Sequence, residues 1–239
     1  MQTKIIGGGV VNPGVELAVD PTFLAARVAL RPLDFAQLGQ ILGHYRVSFI
    51  TGTTVSIGAA GILAYLRWTD ASRFLVLMRA EVGISVPAAI TAATVVDCGI
   101  FVARGSTAAG AGGGAIGLTN NNQKLRVNMG SSLVTDARVA TTAALTRPTG
   151  ATADTQAMGA CAFPMLSAPT LGATANTAVA VGAGGSYANQ VLYKVDAAGQ
   201  HPIVLSLNEH TEIQEITAGP VTGGIKWYIT MEWAEVVLF

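Results

Sequence analysis

Ile225-Lys226-Trp227-Tyr228-Ile229-Thr230-Met231-Glu232-Trp233-Ala234-Glu235-Val236, close to the end of the chain, alternates residue by residue. Ile225, Trp227, Ile229, Met231 and Trp233 fall on one face, and Lys226, Tyr228, Thr230 and Glu232 fall on the other. A period of two belongs to a β-strand with one side in a core and the other turned outward. Two tryptophans, two isoleucines and a methionine present too much apolar surface to stay in water. Gly223 and Gly224, just before them, can take the positive φ angles of a tight turn. The stretch predicts a long strand that completes a sheet, and with it a β-rich fold.

Working back along the chain, the same texture recurs. Arg46–Ile50 runs into the turn signal Thr51-Gly52, followed by Val55-Ser56-Ile57 and by Ile62–Trp68. Phe74, Val76, Met78, Ala80, Val82 and Ile84 alternate with Leu75, Leu77, Arg79 and Glu81. Val96, Cys98, Ile100 and Val102 alternate with Asp97, Gly99 and Phe101. Lys124–Val127 and Ala137–Leu145 are shorter candidates, and Val191–Val195, His201–Leu207 and Glu212–Thr217 lead to the last strand. Strands at this density, joined by Gly/Pro/Asn turns and almost free of helical period, predict an all-β, jelly-roll-like sandwich over residues 44–239. No internal repeat is evident.

Residues 1–43 read differently. Gly7–Gly9, Asn12-Pro13-Gly14, Asp20-Pro21 and Arg31-Pro32 punctuate a stretch without sustained period, which predicts an extended arm. One short helix is expected after Pro32, because Leu38, Ile41, Leu42 and Tyr45 share a helical face. Such an arm is ordered only where it lies on its own domain or on a neighbouring subunit. Two further segments, 105–122 and 146–190, are dominated by Gly, Ala, Thr, Asn and Pro. They are expected to be long loops or a β-rich insertion, ordered against partners, since their composition is small and apolar where disordered tails are charged.

Composition narrows the function. Of 239 residues 51% are hydrophobic, 12% charged and 6% aromatic, with no net charge and a mean hydropathy of +0.48. An average soluble chain has roughly twice that charged fraction. A membrane or extensive contact between subunits would account for it. The best membrane window, Ile84–Ala103, holds Pro87 and Asp97 and alternates as a strand from Thr94. The stretch Met1–Gly9 has too short an apolar run for an export signal, and no regular aromatic girdle marks an outer-membrane barrel. Subunit burial is the better account, and a homo-oligomer, with a trimer favoured, is expected. With Lys4, Lys124, Lys194 and Lys226 as the lysines, no cationic cluster is available for nucleic acid.

Few residues suggest chemistry. Cys98 and Cys161 are far apart, form no C-x-x-C pair and read as small buried thiols. His44, His201 and His210 are not spaced with them as zinc ligands. Gly110-x-Gly112-x-x-Ala115 imitates a dinucleotide fingerprint, but Ile116–Asn122 is not the helix that would face a pyrophosphate, and no G-K-[ST] follows for a P-loop. Glu209, His210, Glu212 and Glu215 are the densest ionisable group. On a strand His210, Glu212 and Gln214 would share one face, and Glu209, Thr211, Ile213 and Glu215 the other. That split predicts a solvated or intersubunit polar face and no metal site. Asp97, amid apolar neighbours, is expected to be hydrogen-bonded or paired with an arginine. There is no G-x-S-x-G elbow. No enzyme, cofactor or metal is expected.

The C-terminal third carries a resemblance. His201-Pro202-Ile203-Val204-Leu205, Asn208-Glu209, Glu212-Ile213-Gln214-Glu215, Ala218-Gly219-Pro220 and Trp227–Val236 resemble the closing strands of tailed-bacteriophage virion proteins. Those are jelly-roll proteins of the capsid-decoration (cement) and fibre type. The Trp-x-Glu ending in Met231-Glu232-Trp233-Ala234-Glu235 is its strongest element; Tyr45–Arg104 follows the pattern loosely. The resemblance implies a virion protein assembled in the host cytoplasm, commonly a trimer bound to the major capsid protein or other virion proteins, with no catalytic residues. A tail, fibre or major capsid component is the nearest alternative. A carbohydrate-binding jelly roll is another, with only Tyr187 and Tyr193 beside the long loops as possible stacking groups.

Overall fold

The computed structural model describes residues 41–88, 90, 94–118, 124–125, 129–165, 185–195 and 201–237. Twelve strands follow one another among these residues. They are β1 (Ile41–Ile50), β2 (Ile62–Arg67), β3 (Phe74–Ala88), β4 (Thr94–Arg104), β5 (Gly114–Ala115) and β6 (Asp136–Val139). After them come β7 (Thr152–Ala153), β8 (Gly159–Met165), β9 (Gly185–Lys194), β10 (Ile203–Leu205), β11 (His210–Glu215) and β12 (Gly224–Val236). No helix occurs among the described residues.

All pairings between these strands are antiparallel, and they form two sheets. The first has the order β1-β12-β3, with β9 and β10 both on the far edge of β3. The second has the order β5-β6-β2-β11-β4, with β7 and β8 on the far edge of β4. The chain passes from sheet to sheet, so that β1 with β12, β2 with β11, β3 with β9 and β4 with β8 form nested pairs. One apolar core lies between the sheets, and the expected all-β sandwich is what the chain forms. Trp68, Trp227, Trp233, Tyr45, Phe49 and Phe163 are all fully buried and fill it. Phe163 of β8 meets Trp227 of β12 edge-on at 6.1 Å, a contact from sheet to sheet. Such a pair contributes about 0.5–1.5 kcal/mol beyond its buried area.

The last strand alternates as its sequence requires: Ile225, Trp227, Ile229, Met231 and Trp233 are in the core, while Tyr228 is exposed. The Trp-x-Glu ending is a structural fastening. Trp233 stacks on Tyr45 at 5.6 Å, and Glu235 is buried beside it. The Glu235 carboxylate accepts from the Ser132 hydroxyl (2.6 Å), the Leu133 N–H (3.0 Å) and the Trp233 indole N–H (3.2 Å). These bonds pin residues 132–134 to the end of β12.

In β3 the simple alternation breaks. The register against β12 shifts between Glu232 and Trp233, whose partners are Arg79 and Leu77, leaving Met78 as an extra residue. An inserted residue turns every following side chain to the opposite face. Ala80, Val82 and Ile84 therefore share the core with Leu75 and Leu77, while Phe74, Val76 and Met78 join Val204, Ala234 and Val236 in a separate cluster.

Other expectations need correction. Ile41 and Tyr45 belong to β1, so the helix expected after Pro32 does not extend there; Leu38 and the rest of the arm lie outside the described residues. Pairing with β12 over the whole of β1 outweighs a helical period carried by few residues. Val55-Ser56-Ile57 is no strand; the chain there is held through Ser56 N–H to Pro220 (3.0 Å) and Gly219 N–H to Ile57 (2.8 Å). Of the two alternatives for 146–190, a long loop or a β-rich insertion, the described residues follow the second: they contain β7, β8 and the start of β9, with small residues in strands because neighbouring chain lies close. A Cβ on Gly159, for example, would stand 1.8 Å from the Leu192 carbonyl oxygen. The apolar window 84–103 is divided between β3 and β4.

Candidate functional site

The outer face of the second sheet carries the densest polar chemistry among the described residues. β2 turns Tyr65 and Arg67 to that face, and β11 turns His210, Glu212 and Gln214. The register sets His210 opposite Arg67 and Glu212 opposite Tyr65. Over them lies a flap of two passes of chain. Ala111 and Thr146 exchange backbone hydrogen bonds of 3.2 and 2.9 Å, and Thr107 N–H donates to the Thr149 carbonyl at 2.7 Å. The flap closes tightly because Gly110 has no side chain. A Cβ there would stand 2.4 Å from the Thr146 carbonyl oxygen, whereas the Gly110 N–H reaches the Tyr65 hydroxyl at 3.1 Å.

Two linked networks hold the flap down. In the first, Arg67 donates through Nε to Ser106 Oγ (2.9 Å) and through Nη2 to the Ser106 carbonyl (3.1 Å) and Asn208 Oδ1 (3.3 Å). The Tyr65 hydroxyl donates to Asp136 Oδ1 at 2.8 Å, and Arg67 Nη1 lies 3.8 Å from Asp136 Oδ2. In the second, Arg147 reaches down from the flap. Its Nε donates to both Glu212 oxygens (3.0 and 3.2 Å) and its Nη2 lies 2.8 Å from Oε1. His210 Nε2 stands 3.2 Å from Glu212 Oε2, and the Gln214 amide donates to Oε1. Burial opposes ionisation of Glu212, but the bonds from His210 and Arg147 and the guanidinium charge together hold its carboxyl below the ordinary value.

This arrangement is closed. His210 and Glu212 are wholly buried and Gln214 nearly so, and the Glu212 oxygens already face donors from three side chains. The expected split of faces along β11 is right, but the polar face is covered by the chain's own flap, where solvent or a neighbouring subunit was expected. Glu209 precedes β11 and accepts from Ser206 N–H at 2.8 Å. Asp97 is hydrogen-bonded as expected, by Thr217 N–H at 2.9 Å. His44 pairs with Glu232 (3.0 Å), away from His210. Among the described residues no three His, Cys, Asp or Glu side chains are grouped to hold a metal. Gly112, at a φ of 81°, forms a turn of the flap, and its carbonyl accepts from Arg138 at 3.1 Å. Tyr193, one of the two possible stacking groups, is half-buried against the core and its hydroxyl accepts from Ile203 N–H. The side chain of Tyr187 lies outside the described residues.

Arg67, Arg147, Asp136, Tyr65 and Ser106 do not stand out in the sequence as a polar cluster, although Tyr65 and Arg67 fall in the expected strand Ile62–Trp68, because they meet across long separations. One signal existed: Arg147 is the single charged residue between Arg138 and Asp154. A lone cation in an Ala/Thr-rich stretch needs a partner elsewhere.

Glu215, on the core side of β11, is a different case. Burial pushes its carboxyl up to about 8, with the Asp97 charge adding to the shift and Gly219 N–H opposing it. The Trp227 indole also opposes it, although no hydrogen bond of ordinary geometry joins the two side chains. An unfolded glutamate titrates near 4.5. Between these values the folded chain keeps a proton that the unfolded chain has lost, so stability falls as pH rises from 4.5 to about 8. Glu215→Gln should flatten this slope in melting curves taken across that interval. Equal slopes for the two proteins would remove Glu215 from the pH dependence.

Comparison with protein-family models, with curated proteins and with solved structures found no match to the chain.

Proposed function

We propose that the chain is a non-enzymatic virion structural protein, a capsid decoration or cement protein of a tailed phage that stabilises the head through protein–protein contacts. The observation that carries this reading is the winding. The nested pairs β1·β12, β2·β11, β3·β9 and β4·β8 match what one long hairpin wrapped into two sheets would give, which supports a jelly-roll reading of the sandwich. Jelly rolls occur in capsid proteins, lectins and cupins. The interior here is filled by tryptophans and other large side chains, and the polar network on the second sheet is closed, which supports binding through outer surfaces.

Apolar exposure supports the same reading. Val221 is 78% exposed and Ile50 57%, and with Val55 and Ile216 they lie on or beside the paired loops 51–61 and 216–223 at one end of the sandwich. Interfaces are depleted of charge at their centre, which fits a chain with 12% charged residues. A homo-oligomer, with a trimer favoured, follows as the working form.

Two measurements test this. Particles of the source phage, banded in a density gradient, should contain tryptic peptides of this chain in the fractions that hold the major capsid protein. Absence from washed particles would overturn the virion reading. Light scattering on the purified chain should give the mass of a trimer. A monodisperse monomer, soluble at high concentration, would overturn the oligomer.

A further inference from the structure

Cys98 and Cys161, separated by 63 positions, meet in the fold. They are direct partners across β4 and β8, and their Sγ atoms stand 3.5 Å apart. Both are free thiols; Cys98 is buried and Cys161 half-buried. A disulfide needs sulfurs about 2.05 Å apart and Cα atoms within about 4.4–6.8 Å. Directly opposed residues of an antiparallel pair stand about 4.5–5.5 Å apart, inside that range. Small side-chain rotations, moving each sulfur by roughly 0.7 Å, close the gap without displacing a strand.

We propose that Cys98 and Cys161 form an oxidation site that closes to an intramolecular cross-strand disulfide, with a small-molecule disulfide such as oxidised glutathione as oxidant. The proposal does not depend on the virion reading. Cys161 is the attacking group. It has access to solvent, and the Cys98 thiol hydrogen-bonds to it and holds it below its ordinary pKa, while that same contact and burial push Cys98 up. The Cys161 thiolate attacks one sulfur of the oxidant, whose S–S bond breaks, and the departing thiolate takes up the proton that Cys161 gave up. The Cys98 sulfur then attacks Cys161 Sγ, expels the second small thiolate and passes its own proton to it. Two protein thiols are oxidised, and one small disulfide is reduced to two thiols.

The bond would close a loop that contains the flap and tie β8, at the sheet edge, to β4. A loop of this length constrains the unfolded chain strongly, and a rise of about 5–10 °C in melting temperature is expected.

The full chain is incubated with oxidised glutathione, and a second sample is kept in a phosphine reductant. Oxidation should take the titratable thiols from two to none. Non-reducing peptide mapping should join the Cys98 and Cys161 peptides, lighter by two hydrogens, and the melting temperature should rise. In Cys98→Ser, Cys161 should take up one glutathione and the rise should vanish; in Cys161→Ser, Cys98 should stay unmodified while the chain is folded. Wild-type thiols that stay free after long oxidation would overturn the proposal. So would a product that is an intermolecular dimer, or a linked chain that melts lower than the reduced one.

Discussion

Trp233→Ala is expected to lower the stability of the chain by about 3–5 kcal/mol, the usual range for emptying a buried tryptophan site. Three losses coincide there: the apolar burial between the sheets, the stacking on Tyr45, and the indole N–H that helps satisfy the buried Glu235 carboxylate. A loss of that size is a large fraction of what holds a domain together, so the variant should fold poorly or melt far below the parent. Residues on the other face of the same strand provide the contrast. Lys226→Ala should change stability by less than about 0.5 kcal/mol. Thr230→Ala should remove about 1 kcal/mol, because Thr230 is largely covered and its hydroxyl lies 3.0 Å from that of Ser48. Urea unfolding followed by circular dichroism measures all three. Equal shifts for Trp233→Ala and Thr230→Ala would mean that the alternation of β12 does not mark the core.

Removing Arg147 should loosen the flap with little effect on the first sheet. Arg147→Ala leaves the wholly buried Glu212 carboxylate without its cation, and breaking one side of a buried pair costs about 3–5 kcal/mol. The lower end of that range is expected, since 33% of the Arg147 side chain is open to water and the abandoned carboxyl can take up a proton. Hydrogen exchange gives the local readout. The amides of Thr107, Ala111 and Thr146, which hydrogen-bond within the flap, should exchange faster, while those of β3 and β12 keep their protection. Unchanged exchange at these three amides would sink the clamp. The effect has a defined pH sign. The Glu212 carboxyl is held below its ordinary value, so its contribution is present above about 4.5 and fades as pH falls through the lowered value. Parent and variant should therefore converge in acid.

Glu215 and Glu212 are a few residues apart on one strand and respond to pH in opposite senses. Each lies under roughly equal cover, so burial alone does not separate them. The difference is that Arg147 and His210 reach Glu212, whereas among the described residues no cation faces Glu215 and the Asp97 charge adds to its burden.

The sequence by itself determined the sandwich, because a period of two with tryptophan, isoleucine and methionine on one face leaves a strand no stable place except over a core. It also determined the division of faces along β11, which follows from strand geometry alone. It could not locate the bulge at Met78, since Phe74–Ile84 reads as an unbroken alternation and only the pairing of Arg79 and Leu77 with Glu232 and Trp233 reveals the extra residue. Nor could it tell whether the polar face of β11 meets water. That depends on where the Gly/Ala/Thr-rich stretches settle, and small residues signal close approach without saying to what. The meeting of Cys98 with Cys161, and of Arg147 with Glu212, was decided by tertiary structure alone. Local pattern specifies which way a side chain points on its own strand, whereas the partner it meets is set by strand order and register between segments far apart in the chain.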